Sequence, residues 1–409
     1  MLILGLIPRL ISNNNSNILI PVEYNTDSIF KPPPTLALYR FISGMGYFVI
    51  PYLSLFLTGE LKISVIISGI VIAGANLFCI PVLYISARIT EKLGPKNTII
   101  ITQIISALSY IIVVICPYNI LKIWFTIVGL CFSSVAVPAM DTWATIKNSD
   151  GDRRKVFSLL YLAQNIGFAI GSLVIGFAYK INPDFVFIGD AITTFLAVGI
   201  LYINTEDTKA ELFKKDNTKN VKLDLKIGIS IKVFMFIILL NALAYGQLSF
   251  MLPVFLRRVT TNGTVLYGFV MAANAFLVII LSPIFTQVFK NAKLIDVIIL
   301  SELLFALGYG TYGFGTNNIE FVMITILWSI GEILFSINYM AYIVQNTEKY
   351  LVPRVAAMAA IFNKVGVILS SVIGGAFISE VGYLKSWMCI SIIMLISGGL
   401  AVFIRRTEK

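Results

Sequence analysis

Two segments of the sequence decide the fold: QNIGFAIGSLVIG at residues 164–176 and NKVGVILSSVIGG at residues 363–375. Each has a polar pair two and three residues before a glycine, followed by small residues four apart. Such spacing lets helices approach closely in lipid, where packing holds them together. Either segment alone indicates ordinary helix packing, but its recurrence six apolar stretches later predicts a duplicated six-helix unit. The predicted packing residues are Gly167, Gly171, Gly176, Gly374 and Gly375.

The rest of the chain has the composition of an integral membrane protein. Hydrophobic residues make up 58% of the 409 residues and charged residues 13%, with a mean hydropathy of +0.88. The apolar stretches reach the roughly 20 residues that a helix needs to cross the hydrocarbon, without the alternation of barrel strands. Twelve helical spans are predicted, at residues 35–58, 63–87, 97–116, 120–146, 155–180, 185–204, 231–256, 265–289, 294–314, 319–345, 354–379 and 383–404.

The predicted fold is therefore an all-α membrane protein with two six-helix bundles related by a pseudo-two-fold axis. The predicted segments are an N-terminal arm at 1–34, a first bundle at 35–204, a basic linker at 205–230 and a second bundle at 231–409. Twelve spans suffice for a working monomer, so a monomer is expected.

The distribution of Lys and Arg predicts the orientation. The loops on the side of the linker and the tail carry twenty-one of these residues, whereas the opposite loops carry six. Positive charge collects on the cytoplasmic side of membrane proteins. We therefore expect a plasma or bacterial inner membrane protein with both termini in the cytoplasm. The net charge of +10 is explained by these loops, and no nucleic-acid partner is predicted.

The absence of histidine excludes most enzyme designs. Zinc sites built on histidine and Ser-His catalysis cannot form in a chain with no histidine. No Gly-Lys dipeptide occurs, so there is no phosphate loop for an ATP-driven pump. The four cysteines are expected to be small buried hydrophobes. No catalytic residue, metal site or cofactor is predicted, although a Ser-Lys arrangement remains formally possible.

Three motifs carry a resemblance to a known family. ARITEKLGPK at residues 87–96 resembles a cytoplasmic G-x-L-a-D-R-x-G-R-K motif, with Glu91, Lys92, Gly94 and Lys96 at matching positions. The fifth span resembles a G-x-x-x-G-P-x-x-G-G motif, and Gly331-Glu332 resembles a Gly-Glu pair of proton-coupled transporters.

These motifs and the twelve-span pattern are similar to those of the major facilitator superfamily, and within it of bacterial drug/proton antiporters. The resemblance implies alternating access, and it implies that Glu91, Lys92, Gly94 and Lys96 form a cytoplasmic gate motif. The sequence departs from the antiporters in span four, where Phe125 stands in place of a common arginine.

Glu332 is the predicted proton carrier. It lies near the middle of span ten, and a carboxyl group removed from water binds a proton more readily. An ion pair with Lys364, at similar depth in span eleven, is the accompanying hypothesis, because either charge alone would be uncompensated. The residues that share the face of Glu332 at 100° per residue are Thr325, Trp328, Ser329, Ser336 and Tyr339.

A second ion pair is predicted between Arg40 in span one and Asp141 in span four, which lie at comparable depth. Its two interpretations are a proton-coupled gate and a static salt bridge, with a snorkelling arginine as a further possibility.

The remaining polar residues in the spans are expected to line the cavity or to join helices. Asp190 and Glu302 are in spans six and nine, which are peripheral in the family, so they are assigned to helix packing. Further predicted cavity residues are Tyr47, Gln164, Asn241, Tyr245 and Asn363, with Asn76, Asn165, Asn274 and Ser249 as additional polar candidates.

The expected function is a secondary transporter that exports hydrophobic or amphipathic small molecules in exchange for protons. The alternatives are a proton-coupled importer of peptides or sugars and a non-transporting sensor of the same fold. The expected partners are therefore a small-molecule substrate, protons and the lipid bilayer.

Overall fold

The computed structural model describes residues 34–147, 153–205, 228–348 and 351–407. The predicted N-terminal arm up to residue 33 and linker residues 206–227 lie outside the described residues. In chain order the helices are α1 (Pro34–Met45), α2 (Val49–Leu55), α3 (Val65–Ile115), α4 (Asn119–Ser133), α5 (Ala136–Lys147), α6 (Arg153–Ile181), α7 (Phe185–Asn204), α8 (Ile229–Tyr245), α9 (Gln247–Val259), α10 (Gly263–Val288), α11 (Leu294–Tyr312), α12 (Asn318–Gln345) and α13 (Val352–Thr407), with a π-helical turn at Phe56–Glu60.

Two long helices each contain two spans. α3 has 51 residues and α13 has 56, and straight helices of that length would be more than twice the roughly 30 Å of the hydrocarbon. α3 breaks at Gly94 (φ 79°) and α13 at Gly382 (φ 76°), a conformation that glycine adopts without steric cost. In the described residues eleven apolar stretches are long enough to cross a membrane, and the last, Arg354–Thr407, contains the Gly382 break. The twelve predicted spans are therefore confirmed.

Three further spans consist of two helices in succession. Span one is formed by α1 and α2, span four by α4 and α5, and span seven by α8 and α9. Spans two and three are the two parts of α3, and spans eleven and twelve are the two parts of α13. The other spans are single helices: α6 (five), α7 (six), α10 (eight), α11 (nine) and α12 (ten).

The break in span one is stabilised by Asp190 of span six. The backbone N–H groups of Phe48 and Val49, at the start of α2, both donate to Asp190 Oδ2 at 3.4 Å. Thr194 donates to the other carboxylate oxygen at 3.4 Å. The first N–H groups of a helix have no partner within the helix, so this side chain acts as a cap from a neighbouring helix. The sequence assigned Asp190 to helix packing, and the structure shows that its contact is the cap on α2.

A pseudo-two-fold relation is visible in the contacts between the two halves. A methyl group added to Gly69 in span two would overlap the carbonyl oxygen of Ser371 in span eleven. One added to Gly268 in span eight would overlap that of Ser172 in span five. Gly268 and Ser371 each follow their counterparts, Gly69 and Ser172, by 199 residues. The same glycine-to-carbonyl contact is therefore made twice, once on each side of the axis.

The two repeated segments also pack inside their own halves. Methyl groups at Gly167 and Gly171 of span five would overlap backbone oxygens of span one. At Gly374 of span eleven a methyl group would overlap the Gln247 side chain of span seven. Gly176 faces span eight, and Gly375 faces span two. All five predicted packing glycines therefore lie at contacts between helices.

The halves meet on the side opposite the chain termini. Tyr52 Oη donates to the Thr264 carbonyl oxygen at 3.2 Å. Nearer the loops, Lys180 donates to Asn262 at 2.7 Å and Arg257 lies 3.8 Å from Glu60. Towards the termini, spans two and eleven are joined by the hydrogen bond between Lys364 and Asn76, and beyond it Ile80 and Ala360 are exposed. The structure is closed on the side away from the termini and opens towards them.

The glycine contacts predict how this closed side responds to a single methyl group. Gly69→Ala and Gly268→Ala should each force the halves apart, because backbone cannot move aside as a flexible side chain does. The reporter is a cysteine at the fully buried Ser54, in a chain whose native cysteines are serines. A membrane-impermeant maleimide added from that side should label it faster in both variants. Gly74→Ala, whose methyl group meets nothing within 4 Å, is the control. Unchanged labelling in all three variants would contradict the account.

The cap on α2 predicts a graded loss of stability at Asp190. Asp190→Ala should lower the free energy of unfolding by about 1 to 2 kcal/mol, the usual worth of a helix cap. Asp190→Asn keeps one acceptor oxygen and should lose less. Thermal unfolding of the detergent-solubilised protein measures both, with Asp184→Asn in the loop before span six as the control. An equal loss for Asn and Ala would refute the cap.

Candidate functional site

Glu332 lies where spans seven, eight and ten meet. Tyr245 Oη, from the last residue of α8, donates to Glu332 Oε1 at 2.9 Å. Asn274 Nδ2 of span eight donates to Glu332 Oε2 at 2.6 Å and to Ser329 Oγ at 3.0 Å. Tyr161 of span five lies near enough for an electrostatic interaction with Glu332. Glu332 is therefore held by uncharged donors of its own half and is close to the other half.

The residues predicted to share the face of Glu332 differ in how exposed they are. Ser336 is exposed and Tyr339 is half-buried, stacked on Phe335. Trp328 is fully buried and its Nε1 donates to Tyr312 of span nine at 2.7 Å. The prediction that Trp328 lines the cavity is therefore wrong for this conformation. Trp328 is buried because it packs against span nine of its own half, at Tyr312 and Gly308.

Lys364 does not pair with Glu332. Its ammonium group donates to Asn76 Oδ1 of span two at 2.9 Å. Within the part of the chain that the structure describes, no carboxylate oxygen lies within 4.0 Å of this ammonium group. The hypothesis of a Glu332–Lys364 ion pair is therefore corrected: the two residues share a depth, but each binds different helices.

The predicted contact between Arg40 and Asp141 is present. Arg40 Nη2 lies 2.5 Å from Asp141 Oδ1, and Arg40 Nη1 donates to Gln164 Oε1 at 3.0 Å. Arg40 also contacts the Val137 carbonyl oxygen at 3.5 Å. Gln164 was expected to line the cavity, and the structure shows that its side chain holds the guanidinium group. Spans one, four and five are thereby joined within the first half.

Asn241 belongs to a buried contact rather than to the cavity. Its Nδ2 donates to Glu302 Oε1 at 3.3 Å, and Glu302 is fully buried. The contact joins spans seven and nine, in agreement with the assignment of Glu302 to helix packing. Two other predicted cavity residues are exposed: Tyr47, which lies edge-on to Phe168, and Asn363.

The predicted gate motif is split by the turn at Gly94. Lys96 is buried and donates to the Thr205 carbonyl oxygen at 2.5 Å, with Tyr202 beneath its ammonium group. A lysine bound to the last carbonyl of a helix satisfies an acceptor that the helix leaves open. Glu91 and Lys92 are exposed on the side of the termini. Lys96 thus anchors the end of span six, while the other two charges face the opening.

One close pair was not indicated by any sequence pattern. Cys79 of span two and Cys131 of span four, both buried and both free thiols, have their sulfur atoms 3.1 Å apart. They are 52 residues apart in the chain, so no spacing motif reveals them. Their role as small buried residues is unchanged, but they mark where spans two and four touch. Among the described residues no group of three or more Cys, Asp or Glu could hold a metal ion.

Comparison with known proteins decides the family. The family model described as Major Facilitator Superfamily matches residues 36–348. The chain belongs to the major facilitator superfamily. It is thus a membrane transporter rather than an enzyme, as the sequence predicted.

Two curated relatives are similar to this transporter at low identity. The uncharacterized MFS-type transporter YqjV of Bacillus subtilis is 24% identical over 353 residues, which cover 81% of this chain and 82% of the relative. The Na(+), Li(+), K(+)/H(+) antiporter of Planococcus maritimus is 23% identical over 314 residues, covering 66% of this chain and 72% of the relative.

Solved structures share the fold. The nucleoside transporter NupG has a TM-score of 0.75 at 12% identity, covering 91% of this chain and 98% of that one. The peptide transporter POT in complex with sulfate has a TM-score of 0.73 at 14% identity, covering 91% and 94%. The all-helical fold predicted from the sequence is thereby confirmed.

The Arg40–Asp141 pair predicts unequal effects of removing its two members. The Arg40 side chain is 7% exposed and that of Asp141 is 44% exposed. Asp141→Ala leaves a buried guanidinium without its carboxylate and should cost about 3 to 5 kcal/mol. Arg40→Met keeps the apolar stem in its buried position and leaves a carboxylate that water reaches, so it should cost only about 1 kcal/mol. Thermal unfolding measures both losses, and equal losses would show that the burial difference is unimportant.

Proposed function

We propose that this protein is a proton-coupled secondary transporter in which Glu332 binds the proton. The observation that carries the proposal is the setting of Glu332: half-buried among uncharged donors, with no cation within 4.0 Å among the described residues. An ionisable side chain inside the membrane is costly and is usually functional. Because no ion pair has to be broken, Glu332 can gain or lose a proton with a change in neutral hydrogen bonds only.

The position of Tyr245 gives proton binding a mechanical consequence. As a carboxylate, Glu332 accepts from both Tyr245 and Asn274. A protonated carboxyl group has become a donor at one oxygen, so the hydrogen bond at that oxygen must reverse its direction or break. Tyr245 ends α8 next to Gly246, where span seven is divided, and Gly246 packs against Ser370 of span eleven. Protonation therefore acts at the break in span seven and on its contact with span eleven.

Alternating access follows from the way the halves meet. Contacts between the halves lie on the side away from the termini, and with the termini in the cytoplasm this arrangement is open inward. The glycine contacts at Gly69 and Gly268 separate when the halves rock to the outward-open state. They rely on close packing and leave no buried ion pair behind. Glu91 and Lys92 would then meet partners across the closed cytoplasmic side, as the family resemblance implies.

Exchange of protons for amphipathic organic solutes is the function that these features support best. Exposed or half-buried side chains towards the opening include Tyr47, Tyr161 and Tyr339, which offer aromatic surface with polar edges. The named activity of the Planococcus maritimus relative is also proton antiport. Import of peptides or nucleosides by proton symport is the second candidate, because transporters with those named substrates share the fold.

Everted membrane vesicles distinguish the two directions and test Glu332. In vesicles energised with an acid interior, an exported solute should enter and release protons, which a pH-sensitive dye records after addition of ethidium or fluorescein. Glu332→Gln should reduce proton release by about tenfold or more, yet keep solute exchange without a gradient. Glu302→Gln, outside the site, is the matched control. Proton release that persists in Glu332→Gln would exclude this residue as the carrier. Solute uptake into intact cells that occurs only together with proton entry would favour the importer.

A further inference from the structure

Lys364 is a cation inside the membrane whose only hydrogen bond among the described residues is to a neutral group. It lies in the eleventh span and donates to the carboxamide oxygen of Asn76 at 2.9 Å. The residue is half-buried, so it is neither in open water nor sealed in the core. An ammonium group at this depth is expensive unless an opposite charge is near.

Lys364 differs from the buried Arg40 of span one in having no described carboxylate beside it. Arg40 has the carboxylate of Asp141 at 2.5 Å. Glu332 is held by Tyr245 and Asn274, Glu302 contacts Asn241, and no described carboxylate lies within 4.0 Å of the Lys364 ammonium group. The part of the chain that the structure describes therefore supplies no counter-charge to Lys364. A negative charge that pairs with Lys364 therefore has to come from outside the described protein.

Lys364 lies at the boundary between the two halves. Asn76 is on span two of the first half and Lys364 on span eleven of the second. The glycine contact between the same spans, Gly69 with Ser371, lies farther towards the closed side. Beyond Asn76 and Lys364, Ile80 and Ala360 are exposed. A solute that enters from that side would meet the pair before the glycine contact, and a ligand bound there would touch both halves.

We propose that Lys364 binds an anionic group of the transported solute, a carboxylate, sulfonate or phosphate, which displaces the Asn76 carboxamide oxygen from the ammonium group. This inference rests on the proposed transport function and specifies its substrate class as organic anions with an apolar body. Exchange of a neutral acceptor for a charged one strengthens the hydrogen bond and frees span two from span eleven. The proton site at Glu332 is separate, because the two residues share no hydrogen bond.

Binding to the purified full-length protein tests the substrate class without any proton gradient. The probes are 2-naphthoate, 2-naphthamide and 2-naphthylmethylammonium, which share a ring system and differ in charge, together with sulfate at matched ionic strength. Thermal unfolding should shift upward with 2-naphthoate more than with the amide or the amine. Lys364→Gln should abolish this preference and Lys364→Arg should keep it. Lys385→Gln, at an exposed position near the outer end of span twelve, controls for surface charge.

A second variant makes the test independent of removing the lysine. Asn76→Asp has the same shape and places a carboxylate against the ammonium group, so it should suppress anion binding while leaving the protein stable. An equal shift with 2-naphthoate and 2-naphthamide, a shift that survives in Lys364→Gln and Asn76→Asp, or no shift with any anion would overturn the proposal. Stabilisation by phosphatidylglycerol alone would assign the lysine to lipid and would also overturn it. Any of these outcomes would leave the proposed proton transfer at Glu332 standing, because the binding measurement uses no proton gradient.

Discussion

The structure depends on the cost of placing charged groups in hydrocarbon, which requires each of them to find a partner inside the protein. Asp190 satisfies this requirement with two backbone N–H groups of span one, and Arg40 satisfies it with Asp141. These contacts fix which helices are neighbours and where span one is broken. Glu332 and Lys364 are held only by neutral groups among the described residues. Asp190 and Glu302 are buried, whereas Glu332 and Lys364 are half-buried, so in the proposed mechanism these two are the groups that a proton and a solute can reach.

The packing contacts are symmetric between the two halves, whereas the charged residues are not. In the proposed mechanism, this difference lets one fold both close and couple solute movement to protons. The contacts of Gly69 and Gly268 recur at the same interval in both halves, as expected when close helix approach holds a duplicated unit together. The polar residues break that symmetry: Arg40 and Asp141 belong to the first half and Glu332 to the second. In the proposed mechanism, the symmetric contacts let the halves rock about the axis, and the charged residues couple this movement to the proton.

Sequence patterns predicted the features that depend only on the position of a residue along a span. Apolar length set the spans, and equal depth was sufficient to pair Arg40 with Asp141. The same criterion failed for Glu332 and Lys364, because depth does not say which way a helix faces or tilts. A helical wheel grouped Trp328 with Glu332 but could not show that span nine packs over the tryptophan. Cys79 and Cys131 meet only because spans two and four do, and no local pattern encodes such contacts.

The central claim is that Glu332 changes its protonation state without an ion pair, and infrared difference spectroscopy tests it most directly. Spectra of the purified protein in lipid, recorded as pH is varied between about 5 and 9, report the C=O stretch of a protonated carboxyl group. We predict a band that disappears with rising pH, that is absent in Glu332→Gln and that persists in Glu302→Gln and Asp190→Asn. A titrating band that is unchanged in Glu332→Gln would contradict this claim and would place the proton on another group.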